Sequence, residues 1–177
     1  MIMIMIKNKF KFLAVSLFVI GVSSCAKEEI GGTAVQDMCG EWYVQVDYVD
    51  EEGKVVEEDP YGYGYFELYT YNTNANLSTE MYLEDSSFYP FRVIVDVNYG
   101  SKTFSATDAI DDYYDAPYSI KNGSIVKDGT VSPAGYTADS ISFILVDTYY
   151  DEDEEGYVTD YWWYHGYRRT GLNGGYD

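Results

Sequence analysis

Histidine, cysteine and positive charge are all scarce in this chain, and each scarcity excludes a class of function. The 177 residues include one histidine, His165, and two cysteines, Cys25 and Cys39. A serine hydrolase needs a base beside its nucleophile and a turn that exposes it, and no Gly-x-Ser-x-Gly segment is present. His165 lies in an aromatic run, where a packed or surface role outweighs that of a general base. Asp139-Ser140 reads as turn chemistry, and no pair of carboxylates stands out as the pair a glycosidase uses. No catalytic residue is assigned. Two cysteines make no disulfide framework, and Cys39 beside Gly40 reads as a small buried hydrophobe. Eleven basic residues face 30 acidic ones, for a net charge of −19. Such a surface repels phosphate backbones and anionic lipid, so nucleic acid is excluded as a partner.

Metal and cofactor sites are likewise not assigned. Asp151, Asp153, Glu155 and Gly156 match the opening of a calcium loop, but the twelfth position holds Trp162 where a bidentate glutamate is required. A solvated hairpin tip is the better reading.

Residues 1–24 carry address rather than fold. Lys7, Lys9 and Lys11 form a basic region, Phe10 to Val22 an apolar run too short to span a bilayer, and Val22-Ser23-Ser24 precedes Cys25. The pattern predicts a lipoprotein signal peptide, with Cys25 acylated as the first mature residue; an ordinary secretory signal is the alternative. The true start falls at Met1, Met3 or Met5. Residues 25–39 are expected to be the lipidated cysteine and a flexible tether, Gly-containing and acidic at Glu28-Glu29. An outer-membrane lipoprotein follows as the expected address, facing the periplasm or, with the acidic start as a surface-export signal, the cell surface. Without residues 1–24 the chain keeps 8 basic and 30 acidic residues, a net −22, in a length that suits one domain.

Apolar alternation with a period of two organises the rest, and no segment reads as a convincing helix. In Gly40-Glu41-Trp42-Tyr43-Val44-Gln45-Val46-Asp47-Tyr48 the residues Trp42, Val44, Val46 and Tyr48 share one face. Phe66, Leu68 and Thr70 alternate next, after a start expected at Tyr61-Gly62-Tyr63-Gly64-Tyr65, whose glycines suggest a bend or bulge. Phe91, Val93, Val95 and Val97 turn through Tyr99-Gly100-Ser101-Lys102 into Thr103-Phe104-Ser105. Asp108 to Asp115 is expected to be an acidic loop. Asn122-Gly123 marks either a hairpin turn or an irregularity within one strand. Ile141, Phe143 and Leu145 mark a buried strand, and Tyr161 to Arg169 closes the series. Tyrosine, at 21 residues, suits both strands and binding surfaces. The expected fold is all-β, a single antiparallel eight-stranded barrel over residues 40–171, with a tail at 172–177; a sandwich is the alternative.

Gly40-Glu41-Trp42 with an arginine in the last strand resembles the lipocalin and wider calycin barrels. More specifically, Thr70-Tyr71-Asn72-Thr73, Met81-Tyr82-Leu83-Glu84-Asp85, Thr103-Phe104-Ser105-Ala106, Ile120-Lys121-Asn122-Gly123, Asp139-Ser140-Ile141 and Gly166-Tyr167-Arg168-Arg169-Thr170-Gly171 resemble the bacterial lipoprotein family described as lipid-binding putative hydrolases. The resemblance implies that Trp42 closes the barrel floor with an arginine across its ring, Arg168 or else Arg169. A barrel of eight strands can enclose one small ligand, and inward aromatics would suit an apolar or amphipathic one, such as a fatty acid or sterol, with Tyr65, Phe91, Phe143 and Trp162 or Trp163 as candidate lining. The acidic, aromatic loops at 108–115 and 150–160 depart from the family pattern at positions that would decide what enters. A surface carbohydrate-binding or adhesion module using loop pairs such as Tyr113-Tyr114 and Tyr149-Tyr150 is the second reading, and a hydrolase the third. Whether the inward positions leave a cavity or pack solid separates the first two readings, and a filled interior with exposed loop tyrosines would sink the lipid-carrier one. Beyond the membrane reached through Cys25, no protein partner is assigned.

Overall fold

The computed structural model describes residues 32–169. The signal peptide, Cys25, the first part of the tether and the tail at 172–177 lie outside the described residues. A 3-10 turn, Gln36–Met38, precedes nine strands: β1 (Gly40–Val49), β2 (Val55–Glu57), β3 (Phe66–Tyr71), β4 (Glu80–Asp85), β5 (Phe91–Asn98), β6 (Thr103–Ile110), β7 (Pro117–Val131), β8 (Thr137–Asp151) and β9 (Gly156–Arg168). From β3 onward each strand pairs antiparallel with the next, β1 pairs β3, and β1 also pairs β9 from Trp42↔Arg168 to Tyr48↔Trp162. Eight strands thus close into an antiparallel barrel. The ninth, β2, adds to the far end of β1 beyond the rim, at Tyr48↔Glu57 and Val49↔Val55.

Alternation decides what fills the barrel, because successive side chains of a strand point to opposite faces. Trp42, Val44 and Val46 of β1, Phe66 and Leu68 of β3, Phe91, Val93 and Val95 of β5, and Ile141, Phe143 and Leu145 of β8 are all buried in one continuous core. Tyr164 occupies its centre, stacked on Phe143 with ring centroids 4.7 Å apart and meeting Phe91 edge-on at 6.0 Å. At about 25 cal/mol per Å² of apolar surface removed from water, each such aromatic contributes of order 2 kcal/mol or more. The middle of the barrel is occupied by side chains in mutual contact.

One end is closed by the residues that lead into β1. Val35 and Met38 are fully buried beneath the barrel, so the described end of the expected tether packs as part of the floor. Trp42 Nε1 donates to Thr70 Oγ1 at 2.8 Å, and Thr70 donates to the Met38 carbonyl at 2.6 Å. The Arg168 guanidinium carbon lies 4.4 Å from the Trp42 ring centroid; Nη1 and Nη2 donate to the carbonyls of Cys39 and Asp37 at 2.5 and 2.8 Å, and Nε faces Asp139 at 3.0 Å. Arg169 instead pairs with Glu41 outside the wall.

Several segments differ from expectation. Tyr61 to Tyr65 is not the start of a strand: Asp59, Gly62 and Gly64 have φ of 37°, 62° and 69°, a left-handed backbone that glycine tolerates and that coils the chain over the rim. The Asp59 carboxylate accepts from the Tyr63 and Gly64 amides at 2.8 and 3.0 Å and holds that coil. The acidic stretch at 108–115 is partly strand, since β6 runs on to Ile110 through a bulge at Asp108, φ 48°. Asn122-Gly123 is a bulge within β7, where the register shifts between Lys121 and Ser124. The insert at 150–160 is the tip of a hairpin in which β8 and β9 stay paired from Ser140↔Tyr167 to Asp151↔Gly156.

Candidate functional site

The β8–β9 hairpin carries its inward face up to and over the rim. Along β8 the parity that buries Ile141, Phe143 and Leu145 continues to Asp147 and Tyr149, and along β9 the parity of Tyr164 continues to Trp162 and Asp160. These four side chains form one wall of a cleft of about 510 Å³ at the barrel mouth; Tyr61 and Tyr63 of the coiled loop and Phe88 and Tyr89 of the β4–β5 loop form the other. That volume is in the range of small-molecule sites. A recess of similar size on the outer wall, around Asp96, Ser105 and Asn122, presents mainly strand edges and polar side chains.

Ring contacts order the cleft floor. Phe88 stacks on Phe66 at 5.4 Å, meets Tyr63 and Tyr61 at 5.6 and 5.7 Å, and lies 6.2 Å from Trp162. Tyr61 lies 5.9 Å from Trp162, which also packs on Tyr48 at 5.1 Å. Tyr61 and Tyr63 are nonetheless 67% and 53% exposed, so their outer surfaces face the opening.

Asp85 positions one wall. It ends β4 fully buried, and its carboxylate accepts from the backbone amides of Ser87, Phe88 and Tyr89 at 2.7, 3.0 and 3.0 Å and from the Tyr164 hydroxyl at 3.1 Å. Burial raises its pKa above the ordinary carboxylate value, against the pull of those donors. Asp111, also fully buried, ties the neighbouring β6–β7 loop in the same way through the amides of Arg92, Tyr113 and Tyr114. The Tyr113 phenol, hydrogen-bonded to Glu84, is pushed up to about 12.

Two carboxylates face the cleft. Asp147 and Asp160 are Cα partners across β8 and β9. Tyr89 donates to Asp147 at 2.9 Å, and Tyr149 and Tyr48 donate to Asp160 at 3.0 and 3.3 Å. Desolvation, with the charge of Asp160 adding to it, raises the pKa of Asp147.

Of the residues expected to line a ligand site, only Trp162 reaches the cleft. Phe91 and Phe143 are wholly buried in the packed interior. Tyr65 and Trp163 stand on the outside of the wall: Tyr65 packs with Tyr43, Ala138 and Tyr167, and Trp163 donates to Ser142 Oγ at 2.8 Å and stacks on His165 at 4.2 Å. Parity explains both, since each neighbours an inward residue, Phe66 and Trp162. A ligand held inside the barrel is therefore not accommodated among these rings. Sequence reasoning missed Phe88, Tyr89, Asp85, Asp147 and Asp160. The available signal was a carboxylate on the apolar parity of a strand, three times, at Asp85, Asp147 and Asp160, which an outward solvated aspartate does not produce.

His165 Nε2 lies 3.1 Å from the buried Asp47 on the outer face of the barrel wall. Cys39 is at the floor with Thr33 Oγ1 at 3.9 Å, so the thiol and the imidazole are not brought together. Asp151 Oδ1 accepts from the amides of Asp153 and Glu154, as a hairpin-tip residue does. Among the described residues no group of three or more histidine, cysteine or acidic side chains is arranged to hold a metal ion.

Comparison with curated proteins finds no match. Residues 27–173, most of the chain and all of the barrel, match the family described as lipid-binding putative hydrolase, and the protein belongs to that family.

Proposed function

We propose that the protein is a membrane-anchored lipoprotein that binds a small amphipathic, lipid-like ligand at the mouth of its barrel and does not transform it. The observation that carries this reading is the cleft itself: a recess of about 510 Å³ walled by Tyr61, Tyr63, Phe88 and Trp162 above an interior already filled by side chains. Aromatic walls supply apolar contact while phenols and carboxylates at the edge hold a polar headgroup. The family description supports lipid as the ligand class. Against chemistry at this site, the histidine is on the outer wall with Asp47, and among the described residues neither serine nor cysteine lines the cleft. Acylation at Cys25 would anchor the chain. The outer membrane, with the cell-surface face favoured, is the address this reading takes from the sequence around Cys25.

The test is to purify the protein natively, denature it, and identify released small molecules by mass spectrometry, alongside titration with a neutral fluorescent amphiphile. A bound amphiphile at one per chain, lost in Tyr61→Ala with Trp162→Ala, is expected. An empty protein that also fails to take up the probe would refute the reading. Exposed rings beside carboxylates also suit sugars, so stoichiometric binding of an oligosaccharide without an acyl chain would favour surface glycan recognition instead. Labelling with a radioactive fatty acid, abolished by Cys25→Ala, tests the anchor.

A further inference from the structure

We infer that the mouth cleft selects a cationic headgroup, an ammonium carried on an apolar tail, and disfavours anionic amphiphiles such as fatty acids. This deepens the proposed function and rests on the cleft being the ligand site.

The charged groups of the cleft are all of one sign. Asp147 and Asp160 stand opposite each other, and among the described residues no lysine, arginine or histidine lines the recess. Glu57 adds a third carboxylate in the adjoining hollow beside Tyr48, Tyr61, Asp160 and Trp162. The side chains that hydrogen-bond Asp147 and Asp160 are phenols, which donate a proton but bring no compensating charge. The raised pKa of Asp147 is consistent with this: its burial is the main cause, and the charge of Asp160 adds to it.

Rings form the second, independent feature. Tyr61, Phe88 and Trp162 meet one another within 5.7 to 6.2 Å around the recess. The faces of aromatic rings carry negative potential and attract alkylammonium groups, Trp most strongly. Rings and carboxylates therefore favour the same sign of ligand. A neutral headgroup covering the cleft would desolvate two carboxylates without neutralising them, and burying an uncompensated charge is unfavourable. An anionic headgroup adds repulsion to that penalty. An ammonium offsets one of the two charges and so lowers that penalty, while its tail lies along Phe88 and Tyr63.

The test uses the full chain in a fluorinated maltoside surfactant, titrated by calorimetry and tryptophan fluorescence with octyltrimethylammonium, octyl glucoside and octyl sulfate, each below its micelle concentration. Octyltrimethylammonium is expected to bind one per chain at least tenfold more tightly than octyl glucoside, with octyl sulfate weakest. The double variant Asp147→Asn, Asp160→Asn keeps an acceptor for Tyr89 and for one of the two phenols at position 160, with an amide N–H facing the oxygen of the other, and is expected to bring octyltrimethylammonium to within threefold of octyl glucoside. Its thermal melt separates this effect from misfolding. Should octyl glucoside or octyl sulfate bind as tightly as octyltrimethylammonium and lose that binding in Trp162→Ala, the charge selection is refuted while the cleft stands as the site. Should none of the three bind, the cleft reading fails and this inference with it.

Discussion

Asp85→Ala is the substitution with the largest expected consequence per atom removed. The lost carboxylate accepts four hydrogen bonds, three from consecutive amides of the β4–β5 loop and one from Tyr164 at the centre of the core. A hydrogen bond to a charged group contributes roughly 1.5–3 kcal/mol, so the gross loss is several kcal/mol. It is offset by relief of the desolvation penalty of the buried carboxylate, itself several kcal/mol, and by water that reaches the freed loop amides. A net destabilisation of about 3 kcal/mol is expected, which for a domain of this size lowers Tm by roughly 6–12 °C. Asp85→Asn keeps an acceptor for the Ser87 and Phe88 amides but turns an N–H group towards the Tyr89 amide, and is expected to cost about half as much. Urea unfolding followed by tryptophan fluorescence gives the two values, and ligand titration gives the function. Because Phe88 and Tyr89 form one wall of the cleft, affinity should fall more than the surface control Glu152→Ala allows. The pH dependence adds a sign. The Asp85 pKa is raised in the fold, so its contribution to stability is complete below the unfolded value of 3.8, is lost as pH rises through the folded value, and is absent in Asp85→Asn. A melt of Asp85→Ala within 2 °C of the parent protein, with unchanged ligand affinity, would refute the positioning role.

Further predictions concern the floor, the seam and the cleft. Arg168→Ala removes a guanidinium from the Trp42 ring and from two backbone carbonyls and is expected to cost about 2–4 kcal/mol, with Arg168→Lys recovering less than half, since an ammonium cannot span both carbonyls; equal urea midpoints for Lys and Arg would contradict this. Gly166→Ala places a Cβ 2.0 Å from the Tyr43 carbonyl oxygen, so the β1–β9 seam must part. Loss of several kcal/mol and faster amide exchange along β1 are expected there, and a parent-like exchange pattern would count against a rigid seam. The Asp147 pKa is raised by desolvation and by Asp160, so stability should increase on acidification from neutrality towards 3.8. Urea midpoints in Asp147→Asn should increase less over the same interval.

How much was legible in the residues follows from the range over which each signal acts. Strand parity is local: Trp42, Val44 and Val46, or Phe91, Val93 and Val95, declare a buried face because backbone geometry alternates side chains whatever lies across the sheet. The match of Gly40-Glu41-Trp42 with a late arginine pointed to floor residues that meet in space. Neighbouring candidates were not separable by such means. Trp162 and Trp163 are equally aromatic, and only the pairing of Trp162 with Tyr48 and Leu145 puts one inside and the other against Ser142 and His165. Tyr61 to Tyr65 carries strand composition, yet positive φ at two glycines turns it into a loop.

Sequence alone determined the all-β class, the inward sets of most strands and the expectation of an anchored, acidic, non-nucleic-acid-binding protein, because composition, charge and period-two alternation require no knowledge of what pairs with what. Tertiary structure decided where a ligand can sit. Register brought Asp147 opposite Asp160, closure packed Tyr164 and Phe143 into the space a ligand inside the barrel would need, and Asp85 drew the β4–β5 loop across to complete a cleft at the mouth. The hydrogen bond that ties this loop to the core, from Tyr164 to Asp85, joins residues 79 positions apart, and parity, which marks Asp85 as inward, does not say which distant residue it meets.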